Sequence, residues 1–182
     1  MSSDWIIHRL LLYLLIIFSL DILAGTLVTF QLNVSRTFTL PRMGYRRWWL
    51  HIVKYCTVIC CTYTLLLSIS ALMVRPVHIV LTAAILFFFH VLLFTLVQSC
   101  MLMAMDSAMI VFSAMAALRF SSLFFSQYLP AIGKWLPGNW GMWIRCDLYD
   151  KIGFPVGTVS AIEVALITFI IWIGPKIAKK TV

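Results

Sequence analysis

Five long apolar runs decide what this chain can become: residues 8–31, 47–73, 78–104, 108–126 and 157–174. A helix needs roughly 20 apolar residues to cross about 30 Å of hydrocarbon. In lipid, every backbone N–H and C=O must find its partner inside a helix or a closed barrel. The runs are continuous and do not alternate apolar with polar residues, which argues against a barrel. Charged residues are 11% of the 182 positions, against about 25% in soluble domains. The expectation is an all-α, polytopic transmembrane helix bundle of about five spans, forming a single transmembrane domain over residues 1–182. The start, Met1-Ser-Ser-Asp-Trp5, has no basic n-region. The run after it is too long for a signal-peptide core, so it reads as span one.

The most polar break in the first two-thirds of the chain is Phe38–Lys54, with Arg42, Arg46, Arg47 and Lys54. Each cation costs about 2.5–3.5 kcal/mol in hydrocarbon, so this stretch belongs at a membrane surface. Trp48 and Trp49 fit a headgroup layer, where an amphipathic ring is half wet. With the N-terminus outside, eight cations fall on the cytoplasmic side and five outside. That bias expects an N-out, C-in protein of a plasma or inner membrane. The net charge of +8 is then orientation charge and attraction to anionic membrane lipids, not a nucleic-acid footprint. Residues 127–156 are rich in Gly, Pro and Trp and cannot form one helix. Their Trp135, Trp140, Trp143 and Arg145 mark an outer aromatic segment, either a belt at the interface or a gate. Pro175-Lys176 is expected to end span five, leaving the basic tail Lys176, Lys179 and Lys180.

Asp21, Arg119 and Glu163 are the ionisable residues within spans. From about 1.5 Å of rise per residue, they lie roughly 15, 18 and 21 Å from the cytoplasmic face. Arg119 can therefore pair with either acid. The two readings are a charged site along a conduit and a structural ion pair that locks helices. His90 is the one histidine deep in a span. No second histidine stands at its depth, which argues against haem. Cys56, Cys60, Cys61 and Cys100 lie in apolar runs, and Cys146 lies in a polar loop. Their spacing fits neither a disulfide framework nor a zinc site. Phosphate-binding loops, HExxH and GxSxG patterns are absent from the sequence, so the chain is expected to be no enzyme, with no cofactor or metal of its own.

Two motifs resemble a family. Arg42-Met-Gly-Tyr-Arg-Arg-Trp-Trp-Leu, leading into a span, resembles the cytoplasmic coupling region of membrane subunits of type-2 ABC exporters, of the short bacteriocin and lantibiotic export or immunity kind. Leu136-Pro-Gly-Asn-Trp-Gly-Met-Trp-Ile-Arg145, before the last span, resembles their outer re-entrant segment. Members have six spans with the N-terminus inside, so span one here matches the family's second. The resemblance implies that Arg42, Arg46, Arg47 and Trp48 dock a separate ATPase subunit, which would carry ATP and Mg2+. It also implies a second permease subunit or a homodimer, and an amphipathic peptide or lipid-like substrate. The alternative is a small non-transporting membrane protein, an immunity factor or an assembly subunit of a larger complex.

Overall fold

The computed structural model describes residues 3–38, 40–105, 107–133, 135–142, 146–148 and 153–181. In chain order it forms α1 (Ser3–Phe38), α2 (Leu40–Leu72), α3 (Val77–Ala104), α4 (Ala108–Tyr128), the single turn α5 (Pro130–Gly133), a 3-10 turn (Pro137–Asn139) and α6 (Val156–Thr181). Helices α1, α2, α3 and α6 are long and apolar enough to cross a membrane, and the apolar part of α4, Ala108–Ser122, is shorter. This is the architecture of a helical membrane bundle. The described part of residues 127–156 is broken into short pieces, as its Gly and Pro content requires. Trp143 and Arg145 lie outside the described residues.

Helix α3 is the axis. It is apolar on every side, the pattern of a helix surrounded by others. It packs against α1, α2, α4 and α6, and residues 90–96 are buried without interruption. Pro76 precedes its first turn at φ −60°, where a missing N–H costs nothing.

The connection between α1 and α2 is tighter than expected. Helix α1 continues past residue 31 to Phe38, and α2 begins at Leu40 instead of 47. The break falls at Gly44, with φ 73° and ψ 160° inside α2, a backbone conformation that favours glycine. One helical turn, then a kink, forms an elbow at the basic end of the bundle.

Helix α6 also overruns its expected stop. It passes through Pro175 and ends at Thr181. Proline has no N–H to give the carbonyl four residues earlier, which normally breaks a helix. Here that carbonyl, of Ile171, accepts the indole N–H of Trp49 at 3.1 Å. The lost helical bond is replaced from a neighbouring helix. At the other end of α6, the Asp147 carboxylate accepts the Val156 N–H at 3.2 Å. This occupies one of the amides that a helix start leaves open.

Candidate functional site

Mid-bundle, four helices each bring one ionisable side chain to a common point. Asp21 comes from α1, Arg119 from α4, His90 from α3 and Glu163 from α6, and all four are buried. Arg119 grips Asp21 with two parallel bonds, Nε to Oδ2 at 2.5 Å and Nη2 to Oδ1 at 2.9 Å. This fork-to-fork geometry gives the strongest and most directional form of the pair. The third guanidinium nitrogen, Nη1, lies 3.0 Å from His90 Nε2. A guanidinium can only donate, so Nε2 accepts and the ring proton sits on Nδ1. His90 Nδ1 faces Glu163 Oε1 at 3.4 Å. The ladder thus runs Asp21, Arg119, His90, Glu163 across the bundle. The Arg119 guanidinium also stacks 4.0 Å over the Phe94 ring, a cation–π contact strengthened by the absence of water.

The ladder ends unevenly. Asp21 and Arg119 neutralise each other. Both Glu163 carboxyl oxygens are buried with no hydrogen-bond partner among the described residues. Among the described residues, the ionisable group that faces Glu163 is the His90 ring, at a distance longer than a good hydrogen bond. Gln98 braces the other end, donating Nε2–H to the Asp21 backbone carbonyl at 3.1 Å.

The aromatic segment that the sequence expects on the outer side reaches in to this ladder through residues 138–142. Gly138, Asn139, Trp140, Gly141 and Met142 are all buried. A Cβ on Gly138 would come 3.5 Å from the Arg119 Cα, and one on Gly141 would meet the His90 ring and the Tyr13 hydroxyl. Non-helical backbone at such depth survives only when protein covers it and its own turns satisfy it. Both conditions hold: Asn139 N–H bonds Leu136 O, Trp140 N–H bonds Pro137 O, and Met142 N–H bonds Asn139 O. Asn139 Nδ2–H anchors the segment to the Ser122 carbonyl at 3.1 Å. Trp140 is therefore not a ring of an interfacial belt. It packs in a buried cluster with Cys146, Phe154 and Val159, so the Cys146 thiol is buried although its sequence neighbours are polar. Trp135 is exposed, as an interfacial ring would be.

The basic elbow is split in character. Arg42, Arg46 and Arg47 are exposed, but Trp48 and Trp49 are fully buried. This corrects the expectation that the paired tryptophans sit among headgroups and that Trp48 meets a partner. Trp48 Nε1–H donates to Ser35 Oγ of α1 at 2.8 Å, and Trp49 binds α6 as described. Each indole has its polar handle satisfied, the condition for burying a tryptophan. The three arginines project from a corner clamped to α1 and α6.

Of the predicted ionisable residues, the structure joins Asp21 to Arg119 directly and brings Glu163 to them only through His90. Sequence reasoning missed His90 as the link. Its signal was its place as the one deep histidine, beside three deep charges. Cys56 and Cys60 pack α2 on α3, with Sγ atoms 3.4 Å from the hydroxyls of Ser99 and Thr95. Comparison with protein-family models, with curated proteins and with solved structures returned no match.

Proposed function

We propose that this chain is the membrane subunit of an ATP-driven exporter of the type-2 ABC kind, acting in export of, or immunity to, an amphipathic peptide or lipid-like molecule. The observation that carries the reading is the elbow: Arg42, Arg46 and Arg47 are exposed on a corner whose next two residues are locked inside the bundle. A partner that pulls on these arginines moves Trp48 and Trp49 with them. Trp48 transmits to α1 through Ser35, and Trp49 transmits to α6 through Ile171. Helices α1 and α6 carry Asp21 and Glu163, the two ends of the buried ladder. A movement at the elbow is thereby delivered to mid-bundle, as a switch between two packed states requires. ATP and Mg2+ belong to the separate ATPase, and a second permease subunit or second copy completes the path. The arginine corner lies in the cytoplasm, with the N-terminus outside.

A second reading, a non-transporting immunity factor or assembly subunit, draws support from the ladder itself. It ties four helices together at one depth and resists a change of state. Gentle extraction from the native host, followed by identification of co-purifying chains, separates the two. A nucleotide-binding subunit that is lost on Arg46→Glu/Arg47→Glu supports the exporter. A clean homo-oligomer, or a partner without a phosphate-binding loop, supports the second reading.

A further inference from the structure

A cavity of about 860 Å³ opens at the end of the bundle opposite the arginine elbow. It lies between α1, α2 and α3, with Gly141 and Met142 of the outer segment on one wall. Pockets that hold small organic ligands run about 300–1,000 Å³. Its polarity changes with depth. Arg75 and His78 stand at the mouth, both exposed, and Arg75 has no acidic partner among the described residues. Roughly 6 and 10 Å further in, by helical rise, the wall carries the hydroxyls of Thr82 and Ser68. Both are turned back on carbonyls of their own helices, at 2.9 and 2.7 Å. Beside and beyond them the wall is mainly Ala83, Ala84, Leu67, Phe87 and Ile16, with the buried Thr64 hydroxyl as a polar point among them. Leu12, on the flank, is 61% exposed, so the cavity opens sideways towards lipid.

We propose that this cavity binds an anionic glycerophospholipid, with its phosphate on Arg75 and His78, its ester groups beside Thr82 and Ser68, and an acyl chain against Phe87. The sequence of cation, hydroxyl and hydrocarbon down the wall matches the order of groups along such a lipid. A guanidinium and an imidazole N–H both suit a phosphate oxygen. A peptide in the same place would bury a row of amides against a wall that is mainly hydrocarbon and carries few hydroxyls, a costly transfer. Tyr13 and Gly141 also line the cavity, and Gly141 lies against the His90 ring, so an occupant also supports the wall of the buried ladder. The proposal does not rest on the exporter reading, because it needs no ATPase.

The test is native mass spectrometry of the full chain in detergent, titrated with phosphatidylglycerol and with phosphatidylcholine of identical acyl chains. Preferential retention of one phosphatidylglycerol is expected. Arg75→Gln should lower its preference over phosphatidylcholine about fivefold, the loss of one surface cation. Ala83→Trp, which partly fills the cavity and sets an indole across the acyl path, should sharply lower retention of both lipids. Ala71→Trp serves the same purpose from α2 if the first filled variant fails to fold, as judged by thermal unfolding. Equal retention of the two lipids with no effect of Arg75→Gln overturns the headgroup assignment. Undiminished phosphatidylglycerol retention in a folded filled variant overturns the cavity as its site.

Discussion

The indole N–H of Trp49 occupies the Ile171 carbonyl that Pro175, four residues on, cannot serve. Two departures from helical rules, a proline inside α6 and a buried tryptophan beside a cluster of arginines, thus cancel each other. Trp49→Phe removes the donor and leaves a part-buried carbonyl unmet, a loss of about 1 kcal/mol. Pro175→Ala supplies a new donor from within α6. In that background Trp49→Phe should cost less, with a coupling energy of about 0.5 kcal/mol or more. Thermal unfolding of the four proteins of the cycle in one detergent measures it, and strict additivity would disprove the exchange of donors.

The Asp21–Arg119 pair predicts a sharp asymmetry between breaking and deleting it. Arg119→Ala leaves a buried carboxylate alone and should destabilise by about 3–5 kcal/mol. Asp21→Ala/Arg119→Ala should cost clearly less than the sum of its single changes. Arg119→Lys should not restore the parent, because an ammonium cannot form the two parallel bonds. Unfolding midpoints rank these variants, and a lysine variant as stable as the parent would contradict the fork geometry.

The descent of the outer segment depends on the missing side chain of Gly138. A Cβ there would lie 2.5 Å from the Ser122 Cβ. Gly138→Ala should destabilise by about 1–3 kcal/mol through overpacking. Ser122→Gly should recover part of that loss. Failure of this rescue, read from the same unfolding midpoints, would mean that the two residues do not touch.

Asp147 is predicted to hold the start of α6. Asp147→Ala should cost about 0.5–2 kcal/mol, the range for losing a side-chain cap. Asp147→Asn keeps an acceptor oxygen and should cost less. Hydrogen exchange at the first amides of α6 should accelerate in the alanine variant, while α3 amides stay unchanged. Equal exchange in parent and variant would remove the cap.

Much of the bundle was legible from the apolar runs, because a membrane helix must satisfy its own backbone over a fixed thickness. The pairing of Arg119 with an acid was legible from depth alone, but the choice of Asp21 was not. Depth places a residue along the bundle axis, and the helix neighbours around that axis are set by packing. His90 was passed over for the same reason: its partners are Arg119 on α4 and Glu163 on α6, and no local pattern announces them. The burial of Trp49 depends on a carbonyl freed by Pro175, far along the chain. Trp48 likewise depends on Ser35 lying in helix, which the polar residues around it disguise. Where a partner lay across the bundle, composition pointed to the wrong environment, as with the aromatic-segment residue Trp140.

The ladder also imposes an order on the making of the protein. Asp21, in α1, is translated before its counter-charge at Arg119, which follows nearly a hundred residues later. Until α4 is inserted, the nascent chain holds an acid in lipid without a partner, at roughly 2.5–3.5 kcal/mol. His90 then waits for Glu163 in α6. A product that stops between residues 21 and 119 therefore carries an acid whose counter-charge has not been made.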